Sequence, residues 1–368
     1  MSASRPTRSS SGSAWGGPLR LVLRLLVMGI GLGVITGTAL KLLAPRLSGG
    51  VDAGPRLLPQ APPSLQPLRS GLPLGRFEPQ RELTGLSRRW EQLADQHKDL
   101  QASGFLLVLD DGRYAQLQSE KPLPAASSIK TPILLAALEE LDAGRLRWND
   151  PLLLTKEVVG GGAGWMASRP LGSRFPLWEA ATEMIRVSDN TATNLLIKRL
   201  GGKSALNTRF QAMGLSGTVI RNWLPDLDGT NTTSAHDLAR TIALVDTGDK
   251  LSPRARDLFR EVMGRSRTNT LLPLGLLMGL GGDSADPDSD LLAHGVTVLN
   301  KTGDIGIAYA DGGLIELPNG QRAVAAFMVK GPFNDQRSTD LIRAMAAEVA
   351  RTLIAGGRDG NARSNRQN

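Results

Sequence analysis

The chain has 368 residues and is 41% hydrophobic, enough to bury the core of one large domain or two small ones. Its formal charge of +8 is concentrated at the ends, because residues 47–357 hold 34 basic and 34 acidic residues, so a basic nucleic-acid-binding face is excluded. The absence of cysteine excludes disulfides, thiolate metal sites and a cysteine nucleophile, and three scattered histidines (His97, His236 and His294) give no reason to expect a metal or cofactor.

Residues 1–17 are rich in Ser, Gly and Arg and read as a disordered basic tail. Leu25–Leu40 is an uncharged run of 16 residues between Arg24 and Lys41, extended by Leu19–Leu23. A span needs about 20 residues, which this run reaches if Arg24 snorkels. Segment 18–44 is therefore read as a membrane signal anchor. A cleavable signal peptide is the alternative, with Gly37 and Ala39 as small residues before the cut. Arginines ahead of the run place the following chain outside the cytoplasm. That gives a periplasmic domain of the bacterial envelope, anchored in the inner membrane or released by cleavage. Eight prolines between Pro45 and Pro79 mark residues 45–80 as an extended linker.

The folded domain is expected over 81–356, with a disordered tail at 357–368. Leu83, Leu86, Trp90 and Leu93 recur at helical spacing, predicting a helix over Glu82–Leu100. Gly104–Leu109 reads as a buried strand, Asp110-Asp111-Gly112 as a hairpin turn and Tyr114–Gln118 as its partner. A helix begins near Ser127, with Ile133, Leu134, Leu135, Leu138 and Leu141 as its apolar face; Pro132 falls early enough to be tolerated. The middle, to about Gly264, reads as long and mostly helical. Val296–Leu299, Ile307–Ala310, Gly313–Glu316 and Ala323–Val329 read as strands, and Asp335–Ala355 as a closing helix. The fold class is α/β of the α+β type. Its antiparallel sheet is built from both chain ends and flanked by helices, with an all-helical middle subdomain.

Ser127 and Lys130 stand three residues apart, on one face of the expected helix start. A serine needs an adjacent base to become a nucleophile, and a lysine serves if burial or a second cation lowers its pKa. Alone, the pair is as well explained by a helix cap and a solvated lysine. Two further motifs follow: Ser188-Asp189-Asn190 and Lys301-Thr302-Gly303, separated by 61 and 113 residues. The three in this order resemble the motifs of class A β-lactamases and the related penicillin-binding D,D-peptidases.

The resemblance covers about Glu82–Gly356 and implies roles for each residue. Ser127 attacks an amide or lactam carbonyl, Lys130 takes its proton, and Ser188 relays the proton to the leaving nitrogen. Asn190 meets the substrate's side-chain carbonyl, while Lys301 and Thr302 bind its carboxylate. Lys301 also depresses the pKa of Lys130. Gly303 lets substrate lie along the strand, and the backbone N–H groups of Ser127 and Asp304 form an oxyanion hole. The partner is a small β-lactam or a peptidoglycan peptide, met by a monomeric catalytic domain.

Two features depart from that pattern. The segment Arg221–Thr233 resembles the loop that carries a deacylating glutamate, but Leu224 stands in its place and the loop is short. Asp226 and Asp228 are its nearby carboxylates, available to orient a water or simply to form the turn. An arginine for the substrate carboxylate is not evident after Lys301, where Ala310 and Asp311 stand; Arg221, Arg265 or Arg267 are the substitutes on offer. Trp165, beside the Gly160–Gly164 stretch, reads either as a gate over the site or as core. Three functions fit: a slowly deacylating β-lactam hydrolase, a D,D-peptidase, or a membrane-tethered binder of muropeptides or β-lactams without turnover.

Overall fold

The computed structural model describes residues 77–355, except Asp249. The expected tail 1–17, membrane segment 18–44, linker as far as residue 76, and tail 357–368 lie outside the described residues. Among the described residues, no helix is long and apolar enough to cross a membrane.

Strand β1 (Arg81–Glu82) leads into helix α1 (Thr84–Asp95), then β2 (Gln101–Val108) and β3 (Arg113–Leu117). Helix α1 is shorter than its apolar spacing predicts, because residues 96–100 turn the chain back toward β2 through His97 N–Ala94 O and Leu100 N–His97 O bonds. Next come β4 (Leu123–Pro124), a 3₁₀ turn (Ala126–Ile129) and α2 (Lys130–Asp142). The middle holds β5 (Pro151–Leu153), β6 (Arg174–Pro176), α3 (Leu177–Arg186), α4 (Asn190–Arg199), α5 (Gly202–Ala212) and β7 (Thr232–Thr233). Helices α6 (Ala235–Asp246), α7 (Pro253–Met263), α8 (Leu272–Gly279) and α9 (Pro287–Ala293) follow. The chain closes with β8 (Thr297–Asp304), β9 (Ala308–Glu316), β10 (Arg322–Lys330) and α10 (Gln336–Ala350).

The main sheet runs β1-β3-β2-β10-β9-β8, so the two ends of the domain meet where β2 pairs with β10, as the strand pattern predicts. Its ladders are antiparallel except for β1, which adds to β3 in parallel. Successive side chains of a strand point to opposite faces. Phe105, Leu107, Val324, Ala326 and Met328 thus enter one core, while Leu106, Val108, Ala325, Phe327 and Val329 enter the other. The unbroken apolar run of β2 is the mark of a strand covered on both faces. Helices α1, α8 and α10 cover one face; there Trp90 Nε1 donates to Met345 O at 3.0 Å and its ring stands edge-on to Phe327.

The two strands expected at 307–310 and 313–316 are one, Ala308–Glu316. Gly312 and Gly313, which interrupt the apolar pattern, lie inside the ladder with β8 and β10. At Gly313 a side chain is excluded by close neighbours: a Cβ there would lie 2.9 Å from Leu272 Cδ2 and 3.0 Å from Leu299 O. The middle is also not wholly helical, since β5 pairs with β6 and β4 with β7. The β4–β7 pair ties the start of the serine turn to the end of the Leu224 loop. Helix α2 is buried from Lys130 through Leu138, all round its circumference, which makes it the central helix of its half.

Candidate active site

Three junctions converge: the turn ahead of α2, the turn between α3 and α4, and the edge strand β8. Ser127 sits half-buried in the 3₁₀ turn, while Ser128 is buried and spends its hydroxyl on Ala125 O at 2.6 Å. Of the two adjacent serines, only Ser127 is therefore available to a substrate. The preceding Ala126 has φ +48°, and Ser188 in the second turn has φ +60°. Such left-handed geometry at a residue with a Cβ costs about 1–3 kcal/mol and persists only where surrounding contacts impose it.

Those contacts are visible. Asp189 caps α4 by accepting from Ala192 N at 2.8 Å, and its other oxygen accepts from Trp165 N and Met166 N at 2.7 and 2.9 Å. Gly164, at φ +95°, passes so close to Asp189 that any side chain would collide with its carboxylate. Gly303 presses β8 against the serine turn in the same way: a Cβ there would lie 2.8 Å from Ser128 N and 2.9 Å from Ala125 O. The glycine is thus required by the protein's own packing, whereas the resemblance ascribes it to substrate clearance.

Lys130 lies at the centre, fully buried. Its Nζ is 2.9 Å from Ser127 Oγ, 2.9 Å from Ser188 Oγ, 2.7 Å from Ser188 O and 2.9 Å from Asn190 Oδ1. An ammonium has three N–H groups for these four oxygens, whereas a neutral amine accepts as well as donates. Burial, reinforced by the positive charge of Lys301, holds the Lys130 amine well below the usual lysine range, though Asp189 pulls the other way. The expected effect of Lys301 on Lys130 is therefore present, second to burial.

Lys301 is buried in β8, donates to Thr302 O at 2.7 Å, and is pushed down to about 8 by burial. Asp311 of β9, opposite Thr302 in the ladder, is pushed up to about 7 by burial although Asn300 Nδ2, Leu272 N and Lys301 favour its charge. In the sequence Asp311 stands, with Ala310, in the region where an arginine for the substrate carboxylate is not evident. Its burial follows from the continuous β9, which no sequence pattern announced.

A cavity of about 150 Å³ opens at Ser127 and is lined by Gly162, Asn190, Leu224, Pro225, Asp226, Asp304 and Ile305, among others. Asn190 bridges it, its Nδ2 donating to Gly161 O at 2.9 Å. Leu224 is buried, with its backbone clamped by Asn194: N to Oδ1 at 2.9 Å and O from Nδ2 at 2.8 Å. Asn194 is one turn after Asn190 on α4, a spacing that could have flagged it.

Asp226 organises the loop. Oδ2 accepts from Asn231 N at 2.6 Å and Oδ1 from Thr230 Oγ1 at 2.8 Å. Asp228 is on the exposed side of the loop. Asp304 Oδ1 accepts from Gly306 N at 2.8 Å, which sets the turn leaving β8. Trp165 directs Nε1 to Glu183 Oε2 at 2.8 Å and packs edge-on against Phe175, so its indole is held by the helical half. Of the three candidate arginines, Arg221 donates to Thr230 O and Arg265 pairs with Glu261. The peptide of Arg267 donates to Arg186 O at 3.3 Å.

The profile of the Beta-lactamase enzyme family matches residues 85–353. A β-lactamase of Streptomyces albus G is 30% identical over 159 residues, 40% of this chain and 51% of its own length. The chain thus spans about half the length of such curated relatives. The solved structure of PBP-A is 42% identical, with a TM-score of 0.69, covering 74% of this chain and 97% of PBP-A. A leucine-to-glutamate mutant of PBP-A has been solved as an acyl-enzyme complex with penicillin G. An ancestral class A β-lactamase, 23% identical, shares the fold with a TM-score of 0.62 over 73% of this chain and all of its own. With its three motifs gathered around one buried lysine on this fold, the chain belongs to the β-lactamase enzyme family.

Proposed function

We propose that this protein is a serine hydrolase that opens β-lactams through an ester on Ser127 and releases that ester slowly. The observation that carries this reading is the placement of Lys130 Nζ between the hydroxyls of Ser127 and Ser188. Ser127 Oγ bonds to the carbonyl carbon as its proton passes to neutral Lys130. The negative oxygen so formed is met by the backbone N–H groups of Ser127 and Asp304. Collapse breaks the C–N bond, and the proton travels through Ser188 Oγ to the leaving nitrogen. Lys301 and Thr302 hold the substrate carboxylate.

Release needs water and a base within about 2.6–3.2 Å of it, a contribution of roughly 10²–10⁴-fold. Leu224 supplies none. Asp226 has both oxygens engaged within the loop, and Asp228 is exposed, so neither is poised for the task. A missing base corresponds to about 3–5 kcal/mol of barrier.

The same absence supports a second reading, a penicillin-binding D,D-peptidase acting on cell-wall stem peptides, as does the 42% identity to PBP-A. Both readings share acylation at Ser127. With either reading we propose a periplasmic domain, anchored in the inner membrane by residues 18–44 or released if that segment is cleaved. Intact-mass measurement over time after addition of a penicillin tests the mechanism. Wild type should gain one persistent adduct, Ser127→Ala none, and Leu224→Glu an adduct that decays at least about tenfold faster. An adduct on Ser127→Ala, or fast linear turnover by wild type without any adduct, would overturn it. Release of D-alanine from stem peptides, measured alongside, selects between the two substrates.

A further inference from the structure

Outside the serine site, three side chains converge at the start of α6. Glu120, His236 and Asp237 each place one ligand-type atom within 4.8 Å of the other two. His236 Nδ1 lies 3.4 Å from Glu120 Oε1 and 3.8 Å from Asp237 Oδ1. Both His236 Nδ1 and Asp237 Oδ1 are shielded from solvent and have no hydrogen-bond partner among the described residues. Asp237 is fully buried, and its other oxygen is satisfied by Gly217 N and Thr218 Oγ1, each at 2.8 Å. A buried carboxylate oxygen and a buried imidazole nitrogen that lie 3.8 Å apart without a hydrogen bond call for a bridging group.

We propose that Glu120, His236 and Asp237 bind a divalent transition ion of the zinc type. Imidazole and carboxylate donors suit such an ion, with a water in the fourth position. Bonds of about 2.0–2.2 Å at tetrahedral angles set ligand atoms about 3.3–3.6 Å apart. The separations of 3.4 and 3.8 Å are close to this, and the exposed side chain of Glu120 has room to adjust. The imidazole is oriented in advance: Phe77 and Phe105 stand against it with centroids 4.9 and 5.1 Å away. The N-terminus of α6 opposes a cation with about half a positive charge, which two carboxylates outweigh. Glu120 also lines a surface groove shared with Glu82, Glu91 and Asp95, in which Lys121 is the basic residue, so the approach favours a cation.

The ion would have a structural task. Glu120 lies just before β4, which leads into the Ser127 turn, and His236 just after β7, which ends the Leu224 loop. His236 N already donates to Ser119 O at 3.0 Å, and the metal would add a second tie between the same segments. The inference departs from the expectation that three scattered histidines hold no metal: residues 116 positions apart become neighbours through the β4–β7 pair and the His236 N–Ser119 O bond.

The test is calorimetric titration of the chelator-treated full chain with Zn²⁺ alone, with melting followed in parallel. Wild type should take up one equivalent saturably and melt at higher temperature when loaded. Glu120→Gln, on an exposed side chain, should weaken binding by about tenfold or more. Its metal-free melting temperature should stay at the wild-type value. His236→Gln should abolish binding. Absence of stoichiometric uptake by wild type would show that water satisfies the two atoms and would overturn the proposal. So would uptake that survives both substitutions, or equal affinity for Ca²⁺.

Discussion

At the scale of single residues, the proposed mechanism asks opposite charge states of two buried lysines. It needs Lys130 neutral, and burial plus the charge of Lys301 move it toward that state. Lys301 is useful when charged, since it is read as the partner of a substrate carboxylate, and burial brings it to about 8. The sign of the pH dependence follows. Below the depressed pKa of Lys130 the base is protonated, so acylation should rise with pH. Above about 8 Lys301 loses its proton and its hold on the carboxylate, so acylation should fall again. The second-order rate of penicillin labelling across pH measures both limbs. In Lys301→Arg the charge persists and the alkaline limb should move to higher pH; a limb that stays in place would assign it to another group.

At the scale of elements, the site depends on how closely β8 approaches the serine turn. Gly303 sits where a methyl group would meet Ser128 N, Ala125 O and Ala126 Cβ, all within 2.9 Å. Backbone on two sides leaves no flexible atom to give way. Gly303→Ala should therefore displace β8, at about 1–3 kcal/mol for forced overpacking, and lower the melting temperature. It should also slow penicillin acylation by moving Lys301 away from Lys130. Unchanged melting and labelling would mean that the strand stands off the turn. The short loop obeys the same logic: Asn231 Oδ1 accepts from Arg221 N at 2.7 Å and Asn222 N at 2.9 Å, closing its neck while Asp226 fills its centre. Leu224 is presented to the cavity because this staple and Asn194 leave its backbone no other course.

At the scale of the whole molecule, the described domain is one sheet between two apolar layers, with the site at the seam between sheet and helical half. The basic, apolar N-terminal region stands ahead of it, in residues 1–46 with six basic side chains and no acid. If residues 18–44 anchor the protein, it should remain with the membrane pellet after carbonate washing, and external protease should reach the catalytic domain in spheroplasts. A soluble periplasmic product that begins near Leu40 would identify the segment as a cleaved signal instead.

The sequence alone determined what depends on short-range order. Serine, lysine and the two later motifs were readable because turn chemistry and strand ends confine such residue types to fixed local spacings. The sheet built from both chain ends was readable because β2 and β10 carry strand-length apolar runs, and the helix at Ser127 because its apolar residues continue through a full turn and more. What only the tertiary structure decided are contacts between distant segments. Lys130 meets Ser188 and Asn190, 58 and 60 residues away, only because α4 packs on α2. Asp226 reads in sequence as an available carboxylate, but its oxygens are consumed by the loop's own N–H and hydroxyl donors, which no spacing reveals. Gly303 and Gly313 break an apolar pattern in one dimension and permit contact in three. Burial, which lowers the pKa of Lys130 and raises that of Asp311, is a property of the assembled layers and has no signature in composition.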